Sequence, residues 1–187
     1  MKGFKKKYSD SNGHENYYEK LRLTRVPYSN PHSNKLTYVI KDVLDYLPQN
    51  LFTPGADSPI IDLAAGSGQI TNILTLHGIS NIVGIDPYLY QQYSENTSRQ
   101  VYPNTFDDIC NGVLSFENVP IVFCSYALHL CKDINSLLDK LKMWTKYLCI
   151  ITPNGLPYVN NTNWKIYEKF KCAGIKVFIY EINADSN

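Results

Sequence analysis

The chain has 187 residues, 44% of them hydrophobic, and its 18 Lys or Arg nearly balance its 17 Asp or Glu. That length serves one well-cored domain and falls short of two. No apolar run approaches a membrane span, and Met1 to Lys7 lack the hydrophobic stretch of a signal peptide, so the expectation is a soluble protein of the cytoplasm or nucleus with no membrane partner.

Charge is unevenly spread along the chain. Residues 1 to 35 carry eight Lys or Arg against three acids, while residues 36 to 187 carry ten against fourteen. The head, 1 to 35, reads as a basic, aromatic segment, and 36 to 187 as the domain proper. Within the head, Tyr17 to Arg25 is a short helix candidate stopped by Pro27 and by Asn30-Pro31. From Ser33, Leu36, Val39, Ile40, Val43, Leu44 and Leu47 recur at helical spacing until Pro48.

A Pro/Gly turn at Phe52 to Ser58 then leads into alternating elements. Strands are expected at Pro59–Leu63, Asn81–Ile85, Asn104–Phe106, Ile121–Ser125 and Leu148–Thr152. Helices are expected at Gln69–His77, Tyr88–Arg99, Asp107–Leu114 and Asp133–Trp144, with Asp133 as an N-cap. This alternation predicts a doubly wound α/β fold with a mostly parallel sheet and helices on both faces. The tail reads as one more helix, Trp164–Ala173, and one strand, Ile175–Ile182. That strand would be an exposed edge, open to a second copy or a partner subunit.

Five cysteines, Cys110, Cys124, Cys131, Cys149 and Cys172, form no C-x-x-C pair and read as reduced thiols. Cys124, His129 and Cys131 straddle a strand-to-loop transition and lack a fourth partner at a usual spacing, so no metal is expected.

The most informative stretch runs from Pro59 to Gly68 and on to Asp86. An apolar run ending in an acid, Asp62, precedes the small residues Ala64, Ala65, Gly66, Ser67 and Gly68, and a second apolar run ends in Asp86, followed by Pro87 and Tyr88. Small residues let a backbone approach a ligand, and a carboxylate at a strand tip takes ribose hydroxyls, which suits an adenosine-containing ligand. A dinucleotide is disfavoured: the third glycine of its fingerprint is replaced by Thr71, and Asp62 would repel a pyrophosphate. S-adenosylmethionine, with a sulfonium, an ammonium and no phosphate, suits that acid better.

The pattern acid-x-G-x-G-x-G resembles the first motif of the class I S-adenosylmethionine-dependent methyltransferases, with Ala64 where the first glycine is usual. Asp86 is similar to the ribose-binding acid of the second motif, Phe106-Asp107-Asp108-Ile109 to the adenine-reading third, and Val119 to His129 to the fourth strand and its loop. The resemblance covers about residues 36 to 182 and implies a strand order 3-2-1-4-5 plus a C-terminal edge strand, with the cofactor at the switch between strands one and four. It also implies a shortened C-terminus, because the family closes with two strands and only one is read here.

The resemblance places Ser125, Tyr126 and His129 beside the transferred methyl group, with His129 a candidate base. Tyr18, Arg22 and Tyr28 of the head are read either as part of a lid over the cofactor or as packing on the sheet edge. Asp86 is expected to contribute to cofactor binding and hardly to stability. Two functions remain open: methyl transfer to a small molecule or an RNA, and a non-catalytic, methyltransferase-like binding subunit of an assembly.

Overall fold

A computed structural model describes residues 13–24, 27–28, 33–52, 58–153 and 159–183. The lysine run at 5 to 7, most of the turn before residue 58 and Asn154-Gly155 lie outside the described residues. The described elements, in order, are α1 (Gly13–Thr24), α2 (Ser33–Tyr46), β1 (Ile60–Leu63), α3 (Gln69–Leu76), β2 (Ile82–Ile85), α4 (Tyr90–Thr97), β3 (Val101–Tyr102), α5 (Phe106–Cys110), β4 (Val122–Ser125), α6 (Ile134–Trp144), β5 (Tyr147–Thr152), β6 (Trp164–Cys172) and β7 (Ile175–Ile182).

One seven-stranded sheet runs β3-β2-β1-β4-β5-β7-β6. Its first five strands are parallel, while β7 pairs antiparallel with both β5 and β6. Register brings Leu63 level with Ile85 on one side and Cys124 on the other, so three strands end together where the chain order reverses. All four residues of β1 and of β2 are buried, as expected of strands covered on both faces. On one face, Leu36, Val39, Ile40 and Val43 of α2 meet Ile70, Ile73 and Leu74 of α3. On the other, Leu137, Leu138 and Leu141 of α6 cover Ile61, Val122 and Ile150. Asp133 caps α6, its carboxylate accepting the Ser136 N–H at 3.0 Å.

Three expectations are corrected. Residues 164 to 172 are a strand, which gives the sheet its seventh member and removes the shortened C-terminus. A helix cannot form there because the segment returns beside β7 through the turn Ala173-Gly174, whose φ angles of 49° and 84° suit a two-residue hairpin turn. β7 is therefore interior. The edge is β6, where a bulge about Tyr167 and the lysines at 165, 169 and 171 blunt sheet extension. Finally, β3 lies at Val101–Tyr102 rather than 104 to 106, because Thr105 starts α5 as its N-cap.

All five cysteines are free. No helix among the described residues is long and apolar enough to cross a membrane.

Candidate cofactor site

The loop from β1 to α3 is built from left-handed backbone. Ala64, Gly66 and Gly68 have φ of 55°, 58° and 87°, a conformation that glycine adopts freely and alanine only at a cost. Ala65 donates its N–H to the Ile85 carbonyl at 3.1 Å, and Gly68 donates to Ala65 at 3.0 Å, which folds the loop over the end of β2. Gly68 is glycine for space as well as for φ: a Cβ there would collide with the Thr97 methyl and stand 3.2 Å from the Tyr93 ring. Gly66 faces the cleft, with the Tyr28 ring 4.0 Å from where a Cβ would be.

Asp86, only 7% exposed, is the hub of this corner. Its Oδ2 accepts the Gly66 N–H at 2.9 Å, and its Oδ1 accepts those of Tyr88 at 2.9 Å and Leu89 at 2.7 Å. Burial raises its pKa, and the three backbone donors oppose that. Four lone pairs meet three donors, so Oδ2 keeps capacity for one more hydroxyl. Asp86 is thus also structural, which corrects the expectation of a carboxylate that matters to ligand alone.

Asp62 lies beneath the loop and is fully buried. Its Oδ2 accepts from Thr71, from the hydroxyl at 2.8 Å and from the N–H at 3.2 Å, and the Thr71 hydroxyl shares a 2.9 Å bond with the Tyr93 hydroxyl. Its Oδ1 has no partner. Burial, with the nearby Asp86 charge adding to it, pushes its pKa up to about 7 against the two Thr71 bonds.

These walls enclose a cleft with about 1000 Å³ of empty space, counting its open mouth, at the ends of β1, β2 and β4. Of the residues singled out in the sequence, Ala64, Ala65, Gly66, Asp86, Pro87, Tyr88, Phe106, Asp107, Ser125, Tyr126, Tyr18 and Tyr28 line it. Six do not. Asp62, Ser67 and Gly68 lie behind the wall and shape the loop; Ser67 presents its carbonyl to the Asn96 amide at 2.9 Å. Asp108 is spent on the capping box of α5, exchanging bonds of 2.8 and 3.0 Å with Thr105. Arg22 is held by Glu19, whose carboxylate accepts its Nε–H at 2.9 Å, and by Tyr90. His129 is exposed, outside the cleft.

Sequence reasoning missed Gln69, Leu89, Asn104, Thr105, Leu130 and Lys132, which also line the cleft. The T-x-x-D pattern at 105 to 108, a capping box in the structure, is the signal that would have set Asn104 and Thr105 at a helix entrance instead of in a strand. Lys132 carried no such signal; the fold brings it 3.7 Å from Asp107 across the mouth.

On the β4 side, Tyr126 holds φ 58° while its N–H donates to the Ile151 carbonyl at 2.8 Å, so a strained residue forms part of the cleft wall while its side chain packs against the α2–α3 core and its hydroxyl oxygen is buried. Burial raises its hydroxyl pKa, so the group is no base at neutral pH. The head closes the remaining side. Tyr18 stacks on Tyr88 at 5.9 Å and meets Tyr28 edge-on at 5.8 Å. Gln92 clips the Tyr28 backbone through two bonds of 3.1 Å, one accepted and one donated.

No protein-family model matches the sequence, and no curated protein does. Solved structures do match. A SAM-dependent methyltransferase from Aquifex aeolicus aligns over 89% of this chain and 97% of its own, with a TM-score of 0.60 and 14% identity. Magnesium protoporphyrin IX methyltransferase from Synechocystis, solved with SAM, aligns over 93% and 98%, with a TM-score of 0.58 and 11% identity. The 16S rRNA methyltransferase RmtF, in complex with S-adenosylhomocysteine, aligns over 81% and 64%, with a TM-score of 0.58 and 14% identity. The fold is that of the class I methyltransferases. In that fold the cleft sits at the reversal of strand order between β1 and β4, where open α/β sheets take their ligands.

The donor set of this class I cleft has a definite chemical preference. Asp86 lines it and Asp62, only part-ionised at neutral pH, lies beneath it with a buried oxygen that has no partner, so a cation is favoured over a phosphate. The glycine at 66 leaves a side-chain-free cradle, and the remaining capacity of Asp86 Oδ2 suits a ribose hydroxyl. These residues fit a cationic nucleoside.

Proposed function

We propose that this chain binds S-adenosylmethionine and transfers its methyl group to an acceptor. The observation that carries the reading is the join of Gly66 to Asp86, which sets a side-chain-free loop and a ribose-competent carboxylate on one wall of the switch-point cleft. When bound, the cofactor supplies a methyl group already activated on a sulfonium. Asp86 would take a ribose hydroxyl, Phe106 and Asp107 would hold the base, and the Gly66 loop would take the amino-acid end.

What this chain must add is alignment and exclusion of water. Ser125 and the Tyr126 backbone, on the β4 side of the cleft, would orient the acceptor, the Tyr126 hydroxyl being buried against the core. His129, exposed and off the wall, is set aside as a base. Residues 1 to 35 serve as a lid, a reading supported by Tyr18 and Tyr28 on the cleft wall and by the Gln92 clip. The alternative of a non-catalytic subunit drew its support from a missing strand, and β6 supplies that strand.

Calorimetry tests the reading: S-adenosylmethionine and S-adenosylhomocysteine should bind and NAD should not. Cell extract incubated with the chain and methyl-labelled cofactor should then gain label in one fraction. Tight NAD binding with no response to either sulfur ligand sinks it.

A further inference from the structure

The hairpin of β6 and β7 segregates its charge by face. Ile175, Val177 and Ile179 enter the core beneath α2, so the alternating Lys176, Phe178 and Tyr180 stand on the α6 side. Pairing sets Lys171 directly opposite Lys176 and Lys169 opposite Phe178. Three exposed lysines therefore share one face. The hairpin's acids are on the other: Glu168 pairs with Ile179, and Glu181 is bound to Lys165 at 3.2 Å. Among the described residues, no ion pair forms at Lys169, Lys171 or Lys176.

Lysines on an edge strand guard against sheet extension, which accounts for Lys169 and Lys171. It does not account for Lys176. That residue is on β7, flanked by β5 and β6 and in no need of guarding. Like charges directly opposite across a ladder destabilise it, so the Lys171–Lys176 pair costs the isolated sheet stability that a polyanion would restore.

Position and chemistry then narrow the partner. Ser125 pairs with Ile151 and Ile151 with Val177, so the residue beside Lys176 is two strand spacings, about 10 Å, from the β4 end of the cleft. Half-buried Phe178, stacked on Tyr180 at 6.3 Å, sets an aromatic ring among the lysines. Closely spaced cations around an aromatic platform match a strand with one phosphate per base and a base face to stack. We propose that Lys169, Lys171, Lys176 and Phe178 form a docking surface for single-stranded RNA, which delivers the methyl acceptor to the cleft. The docking stands on this surface alone; the delivery rests on the methyltransferase reading above.

The test measures binding of a fluorescent single-stranded RNA 12-mer of mixed sequence to the full chain by anisotropy across a salt series. The double variant Lys171→Ala/Lys176→Ala should lower the slope of log affinity against log salt by about 1.4, since each lost contact to a single strand is worth about 0.7. Lys165→Ala, on the opposite face, should leave the slope unchanged. Phe178→Leu should weaken binding several-fold with the slope kept. Calorimetry with S-adenosylhomocysteine on the same samples separates the two readings. Cofactor binding without RNA binding, or equal slopes for the wild type and the double variant, overturns the docking surface and leaves the methyltransferase reading standing. RNA binding with the expected slopes and no cofactor binding does the reverse.

Discussion

The Tyr93 ring passes over Gly84, where a Cβ would stand 2.5 Å from its Cζ. Glycine in β2 thus lets an α4 tyrosine reach the Thr71 hydroxyl, which in turn bonds Asp62 under the cofactor loop. Gly84→Ala should push the ring out and cost about 1 to 3 kcal/mol through overpacking. Tyr93→Phe, which keeps the ring and loses the hydroxyl with its bond to Thr71, should cost about 1 kcal/mol. Urea unfolding of both variants checks the order; a neutral Gly84→Ala would mean that the ring moves at no cost.

Asp62 makes stability depend on pH in a sense opposite to that of a salt-bridged acid. Its pKa is about 7 in the folded chain and 3.8 for a free aspartate, so between those limits the unfolded chain ionises while the folded chain holds its proton. The contribution is fully present below the lower value and is lost as pH rises to the upper, by up to about 4 kcal/mol. Asp62→Asn keeps an acceptor for Thr71 and removes the charge. Its stability should vary less across that window and exceed the wild type at pH 8. Parallel pH profiles for the two proteins would mean that Asp62 stays ionised.

The parts legible in the sequence were those buried on both faces. β1, β2, β4 and β5 are apolar runs because helices cover them on either side, and their ends were read within two residues. β6 was not legible. It lies on the sheet edge, most of its residues touch water, and the bulge at Tyr167 breaks the period of two, so Trp-Lys-Ile-Tyr-Glu-Lys-Phe-Lys reads as helix. β3 is two half-buried residues, too short to show a period. The cleft followed the same logic: backbone-driven positions at 64 to 66 and 86 carry a spacing signal, whereas Lys132 and Gln92 reach the site only through tertiary packing.

Asp86→Ala should lose ligand affinity and stability together. Three backbone N–H groups, of Gly66, Tyr88 and Leu89, lose their acceptor at once. Leaving buried donors unsatisfied costs about 1 to 3 kcal/mol each, less where water enters the cleft, so Tm without ligand should fall by several degrees. Asp86→Asn, which retains one acceptor oxygen, should fall between the two. An Ala variant with unchanged Tm would show that water replaces the carboxylate.

Ala64→Gly is the opposite case. Alanine at φ 55° bears a left-handed cost of about 1 to 2 kcal/mol, against a glycine entropy penalty of about 0.5 to 1 kcal/mol. The substitution should therefore raise stability, by up to about 1 kcal/mol, and leave cofactor affinity within a fewfold of the wild type. A loss of stability on chemical unfolding would mean that the Ala64 methyl packs usefully.

The head should behave as a ligand-dependent lid. Fixing each residue costs about 1 to 2 kcal/mol, and α1 offsets only part of it: Leu23 is 71% exposed, and the helix is held through Arg22 to Tyr90 and through Tyr18, which meets Tyr88 and the Tyr28 that Gln92 clips. A bound cofactor would add contacts to Tyr18 and Tyr28, so trypsin cleavage at Lys20 and Arg22 should slow when S-adenosylhomocysteine is added. Gln92→Ala removes two hydrogen bonds, about 2 kcal/mol, and should enlarge the open population and the cleavage rate roughly thirtyfold without touching the cleft wall. If ligand leaves the wild-type rate unchanged and Gln92→Ala cleaves no faster, then the clip holds nothing, the head is not a lid, and Tyr18 and Tyr28 leave the site.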